Sequence, residues 1–193
     1  MTSTTTTARR LFLLCFAAAL LAALGCSSGG GVATTTPQLI CNDDGAAPAN
    51  AVTMNCGAVE AGVTERVDVV MGGPATGSTT LSGFNFDVLY DPSKLEFVSV
   101  TGETSELFPS SALVLGALQN RQPGRVVVSI HQAGGVPDVA VFPGLHVVLS
   151  ISFRLVAGAT FGPTPVGFDP SASEASGAST TISFNSDLTL AHQ

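Results

Sequence analysis

The stretch that decides the fold runs Ser82-Gly-Phe-Asn-Phe-Asp-Val-Leu-Tyr-Asp-Pro-Ser-Lys-Leu-Glu-Phe-Val-Ser-Val100. Phe84, Phe86, Val88 and Tyr90 recur at every second residue, the period of a strand with one buried face. Asn85, Asp87 and Leu89 fall between them and point the other way, so two polar groups stand on the outer face. Asp91-Pro92-Ser93-Lys94 supplies a turn: proline presets φ for the second turn position, and the Asp carboxylate accepts hydrogen bonds from the turn backbone. Leu95 and Phe97 open the return strand.

Outward from this hairpin, no long segment shows helical periodicity. Short β-branched runs alternate with Gly, Pro, Asn and Asp, which indicates an all-β sandwich. The pattern predicts strands over Ala51–Cys56, Glu65–Met71, Gly83–Tyr90, Leu95–Val100, Ala112–Leu118, Arg125–His131, Leu145–Val156 and Thr180–Leu190. A short extra strand is expected near Val139–Phe142, and Gly72–Ser78 and Ala157–Ser179 read as loops. In the long strand, Leu145, Val147, Leu149, Ile151, Phe153 and Leu155 form the expected core set. His146, Val148, Ser150, Ser152, Arg154 and Val156 form the outward one. Burying the six core side chains contributes on the order of 10 kcal/mol of gross transfer energy before chain entropy is subtracted. In Arg125–His131, Val126, Val128 and Ile130 point inward.

The hairpin resembles the third and fourth strands of a cohesin domain, where an alternating strand ends in Tyr-Asp-Pro and a Leu leads into a Val-rich strand. Related bacterial β-sandwiches, some carbohydrate-binding modules among them, share that turn. The resemblance extends over roughly Val52–Leu190: Val52–Cys56, Gly62 and Val67-Asp68-Val69-Val70 fit the opening strands. Gly124–Ile130 fits the later Gly-led Val/Ile strand, and Gly144-Leu145 followed by Ile151–Val156 fits the one after it. It implies a nine-stranded jelly-roll β-sandwich over residues 41–193. The chain departs from the family pattern at the loop between Cys41 and Cys56 and at Ala157–Ser179.

Of the 193 residues, 14 are acidic and 7 basic, and two of the basic ones, Arg9 and Arg10, precede the apolar run Leu11–Leu24. Nucleic acid is therefore excluded as a partner, since phosphate binding needs clustered Lys and Arg. Residues 1–25 have the layout of an export signal, and no later apolar run reaches the roughly 20 residues that span a bilayer. Ala23-Leu24-Gly25-Cys26 resembles the lipobox of bacterial lipoproteins, in which the Cys is acylated. The resemblance implies a lipid-anchored tether over 26–40, opened by Ser27-Ser28-Gly29-Gly30-Gly31, that holds the domain at a bacterial envelope. An ordinary cleaved signal is the alternative, and Arg9-Arg10-Leu11-Phe12-Leu13 loosely resembles a twin-arginine signal. Cys15 lies within the apolar run. Cys41 and Cys56 remain, and in an oxidising compartment a disulfide between them is the default, worth about 3 kcal/mol in the chain-entropy model. Asn42-Asp43-Asp44-Gly45 lacks the Glu that an EF-hand-type loop requires at its twelfth position and reads as a solvated turn, so no metal or other cofactor is expected.

Cohesins bind dockerin modules through the face of the sheet that holds the third, fifth, sixth and eighth strands. The resemblance implies a dockerin-bearing partner, in a context of polysaccharide degradation, and by parity the outward groups are expected on that one sheet. They are Asn85, Asp87, Ser129, His131, His146, Ser150, Ser152 and Arg154, with Leu89, Val127 and Val148 as apolar neighbours. Each is equally the solvated side of an antiparallel strand, and Arg154 has Asp87 as a candidate ion-pair partner. Carbohydrate binding is the second reading, but the chain has no Trp and one Tyr, and Tyr90 has core parity. An enzyme is the third. Its candidate histidines are His131, His146 and His192, and no phosphate loop, paired-acid signature or metal spacing accompanies them.

Overall fold

A computed structural model describes residues 39–43, 45–57, 64–102, 105–108, 113–119, 123–160, 162–186 and 188–192. The expected leader, Cys26 and residues 26–38 of the tether lie outside the described residues. Fourteen strands are described: β1 Leu39–Asn42, β2 Ala51–Cys56, β3 Thr64–Gly72, β4 Thr79–Leu81, β5 Gly83–Leu89, β6 Leu95–Thr101 and β7 Leu113–Gln119. They continue with β8 Arg125–Gln132, β9 Val139–Val141, β10 Leu145–Leu155, β11 Thr164–Phe168, β12 Glu174–Ser176, β13 Ser183–Phe184 and β14 Leu188–His192.

The strands form a sandwich. A seven-stranded sheet runs β1-β14-β11-β5-β8-β7, with β12 following β11 along the same side of β5. A five-stranded sheet runs β13-β2-β3-β10-β6, and β4 pairs with β9 alone. Phe84, Phe86 and Val88 of β5 and Val126, Val128 and Ile130 of β8 line one inner face. Val67, Val69 and Met71 of β3 and Leu149, Ile151 and Phe153 of β10 line the other. Rings join the layers: Phe184 of β13 meets Phe86 at 6.3 Å and Phe168 at 5.4 Å, and Tyr90 meets Phe153 at 5.3 Å. The alternation read from Ser82–Val100 therefore places its aromatic side chains in the core.

Four expectations need correction. Val147 lies opposite Val70 and Leu149 opposite Val69, so Val148 is an extra residue in β10. This bulge reverses the side-chain parity before it: Val148 is 0% exposed, whereas Leu145, expected in the core, is 48% exposed. The expected single strand Thr180–Leu190 is two strands, because the chain crosses between sheets: β13 pairs with β2 and β14 with β11. The expected loop Ala157–Ser179 contains β11 and β12. Leu39 and Ile40, placed in the tether, pair with His192 and Ala191.

The Cys41–Cys56 disulfide is present, with the Cα atoms 5.6 Å apart. Asp43 is more than a solvated turn residue, since its carboxylate accepts a hydrogen bond from the Cys56 N–H. Glu65 sits on the inner face of β3 at 2% exposure, opposite Phe153 in register, and its Oε2 has no hydrogen-bond partner. Burial pushes its carboxyl pKa above the ordinary value.

Phe153→Ala is expected to lower unfolding free energy by about 3–5 kcal/mol, read from urea unfolding with an unchanged m value. Phe142→Ala, at a ring that is 60% exposed, should change it by less than about 0.5 kcal/mol. Because the folded Glu65 carboxyl holds its proton more firmly than the unfolded one, its contribution to stability is lost as pH rises through the folded pKa. Glu65→Gln should therefore raise the melting temperature at pH 7, with a gain that shrinks as pH falls through the folded pKa and is gone below 4.5, the ordinary value.

Candidate functional site

The period-two geometry of β5 and β8 puts their polar residues on one outer face, and the register aligns them in rows. Asn85 lies opposite Ser129, Asp87 opposite Val127 and Leu89 opposite Arg125. On the far side of β5, Glu174 of β12 lies opposite Asn85. A hydrogen-bonded row results: Asn85 Nδ2 donates to Glu174 Oε1 at 3.1 Å, and Ser129 Oγ donates to Asn85 Oδ1 at 2.6 Å. His131 Nδ1 is 3.4 Å from the same Ser129 Oγ. With its proton directed to Asn85, Ser129 is not set up as a nucleophile activated by His131, and His131 has no carboxylate partner among the described residues.

A second row is ionic. Arg125 binds Asp87 through Nε and Nη2, and its Nη2 lies 3.2 Å from Asp169 Oδ2. Asp87 is 6% exposed although it points away from the core, because the Arg125 side chain covers it. Asp169 opens the sequence Asp169-Pro170-Ser171, a repeat of Asp91-Pro92-Ser93 at the end of β5. Each turn is built alike: the serine N–H donates to the Asp Oδ1 at 2.9 Å and its hydroxyl at 2.6 Å. Those serine hydroxyls, followed by the serine N–H groups, hold both carboxyls below their ordinary pKa, with further help from Lys94 at Asp91 and Arg125 at Asp169.

The eight residues expected on one sheet are divided. Asn85, Asp87, Ser129 and His131 share the seven-stranded sheet, whereas β10 carries His146, Ser150, Ser152 and Arg154 in the five-stranded sheet. His146 precedes the bulge and its Nε2 lies 2.9 Å from the Phe142 carbonyl. Ser150 Oγ donates to Asp68 at 2.6 Å, and Ser150 and Ser152 are both buried under neighbours. Arg154 pairs with Glu96 of β6 at 2.7 Å and not with Asp87. Val148, expected as an outer apolar neighbour, is in the core. The face gains Arg125, Asp169 and Glu174, which sequence reasoning missed. The repeated Asp-Pro-Ser after an aromatic residue was the available signal for Asp169. Among the described residues, no group of three or more His, Cys, Asp or Glu side chains is placed to hold a metal ion.

No protein-family model and no curated protein matches the chain. Solved structures do match. CaCohA2 from Clostridium acetobutylicum aligns with a TM-score of 0.51 at 18% identity, over 72% of this chain and 87% of its own. The third cohesin ScaC from Acetivibrio cellulolyticus, solved in complex with the ScaB dockerin, gives 0.52 at 13% identity, over 70% and 94%. The seventh ScaB type I cohesin from Pseudobacteroides cellulosolvens gives 0.50 at 14% identity, over 70% and 88%. The chain has the cohesin fold.

With the Asp91 and Asp169 carboxyls held low in the folded state, their stabilising contribution is complete above the unfolded value near 3.8 and is lost as pH falls through the folded values. Asp169→Asn, which keeps a side-chain oxygen for the Ser171 bonds, should flatten the fall of melting temperature below pH 4 relative to wild type. Equal slopes would remove this assignment.

Proposed function

We propose that this domain is a non-catalytic docking module that captures a dockerin-type partner on the outer face of its seven-stranded sheet. The observation that supports this most is the Glu174–Asn85–Ser129 row beside the Arg125–Asp87–Asp169 cluster. It is a flat, hydrogen-bonded polar surface with Leu89 exposed next to it, in a fold whose solved examples include a cohesin held by a dockerin. Side chains already locked by one another lose little rotamer entropy when a partner lands, and an apolar side chain among them supplies an anchor. Asn85, Ser129, His131 and Leu89 are the proposed contacts, with Arg125 and Glu174 orienting Asp87 and Asn85. The residues of β10 are not part of this surface. We further propose export and a lipid anchor at Cys26, on the strength of the leader and the Ser/Gly run that follows it.

A sugar-stacking platform has less support. Tyr90, Phe84, Phe86, Phe108, Phe153 and Phe168 are in the core, and among the described residues Phe142 is the large aromatic that stands in solvent.

In a pulldown against a panel of dockerins, wild type is expected to retain at least one. Leu89→Asp and Asn85→Ala should each weaken that complex by about tenfold or more in titration calorimetry, about 1.4 kcal/mol. Arg154→Ala, on the opposite sheet in an exposed ion pair, should leave it unchanged. Capture of no dockerin, or equal loss with Arg154→Ala, would overturn the proposal.

A further inference from the structure

A cavity of about 240 Å³ opens at the edge of β2, in the five-stranded sheet and away from the docking surface. It exists because β13 pairs only with Ala51 and Val52, leaving a recess beside Thr53, Met54 and Asn55. Asn185, just past β13, forms one wall, and Ala46 and Pro48 of the disulfide loop form the other. That loop is held at several points. Cys41 is bonded to Cys56, the Asp43 carboxylate takes the Cys56 N–H, and Asn50 N–H donates to the Gly72 carbonyl at 2.9 Å. A Cβ on Gly72 would fall 2.1 Å from the Pro48 carbonyl oxygen, so the glycine lets the loop backbone lie directly on the sheet. The wall is therefore built before any ligand arrives, and ordering it costs nothing at binding.

We propose that this cavity binds one neutral sugar ring, free or at the end of a glycan. Its volume lies below the roughly 300–1,000 Å³ of pockets for larger ligands, which suits a single ring. Its polar side chains are the carboxamides of Asn55 and Asn185 and the hydroxyls of Thr53 and Ser186, the last of which already accepts the Phe168 N–H at 3.1 Å. Each carboxamide offers two donors and an acceptor oxygen, matching sugar hydroxyls that both donate and accept. Those amides make only long bonds: Asn55 Nδ2 donates to the Gly45 carbonyl at 3.5 Å, Asn55 Oδ1 accepts from the Thr53 hydroxyl at 3.4 Å, and Asn185 Nδ2 donates to Ser183 Oγ at 3.4 Å. All three sit at the weak limit, so a hydroxyl at ordinary distance displaces them with a net gain. Ala46 and Pro48 offer apolar contact to the C–H groups of the ring. No charged side chain lines the cavity among the described residues, so a phosphate or carboxylate ligand finds no counter-charge there. The proposal does not rest on the docking reading, which concerns the other sheet.

The test is a nuclear magnetic resonance titration of the isotope-labelled protein with glucose, galactose, mannose, N-acetylglucosamine and cellobiose. At least one should move the Asn55 and Asn185 side-chain amide signals saturably, with a dissociation constant of about 1 mM. Equal binding by cellobiose and glucose would identify a free ring as sufficient, and binding by cellobiose alone would identify a chain end; both support the site. Asn185→Ala should weaken the response about tenfold, and Asn185 is exposed, so the variant is expected to fold. The proposal is overturned if no sugar gives saturable shifts at about 50 mM. Saturable shifts that spare both asparagines, or unchanged binding by Asn185→Ala, overturn it as well.

Discussion

Phe86 packs edge-to-face on Phe168, its ring centroid 5.3 Å away, and tilts against Phe184 from the opposite sheet at 6.3 Å. These three rings, with Phe84 meeting Phe184 at 6.2 Å, tie β5, β11 and β13 together across the sandwich. Offset and edge-on aromatic contacts add to the stabilisation that burial alone provides. Their larger effect here is geometric. Once Phe84 and Phe86 face inward, Asn85, Asp87 and Leu89 must face outward, because side chains on a strand alternate without exception until a bulge intervenes. The outer surface of the seven-stranded sheet is thus a consequence of how its inner surface is packed.

The polar groups on that surface are held by one another. Asn85 would be an exposed amide of indefinite rotamer, but Glu174 takes its N–H and Ser129 donates to its oxygen. Arg125 would be a mobile cation, but Asp87 of β5 and Asp169 in the turn after β11 grip it from two sides. Two of the groups that do the fixing, Glu174 and Asp169, come from the segment 157–179, where the chain departs from the cohesin sequence pattern and yet supplies β11 and β12. The loop between Cys41 and Cys56 departs as well, and it is the one that folds onto Gly72 and walls the cavity at β2. In both places the added chain is pinned to a sheet by backbone hydrogen bonds or a covalent bridge, so it adds surface features without loosening the sandwich.

Much of this was readable in the residues. The alternation in Ser82–Val100 and Arg125–His131 gave the correct inward and outward sets, and Cys41 with Cys56 gave the correct bridge. The same rule failed in the first half of β10. Leu145-His146-Val147-Val148-Leu149 satisfies strict alternation as a string, but Val148 is an inserted residue and every side chain before it changes sides. Valine next to valine carries no mark of a bulge, since either one suits the core. The strands of 164–168 and 174–176 were missed because they are short and Pro-, Gly- and Ser-rich, and they become strands only where β5 offers an edge to pair with.

The residues by themselves determined that the chain is all-β, which side chains of most strands are buried, where the main turn falls and which cysteines join. All of these follow from local chemistry: side-chain period, proline geometry, and the pairing of two remaining thiols. The tertiary structure alone decided which sheet each strand enters, and so divided His146, Ser150, Ser152 and Arg154 from Asn85, Asp87, Ser129 and His131. Alternation tells a strand which face is its own inside, but it is identical for either layer of a sandwich. Layer membership depends on which distant backbone supplies the hydrogen bonds, and that partner is chosen only when the whole chain has folded.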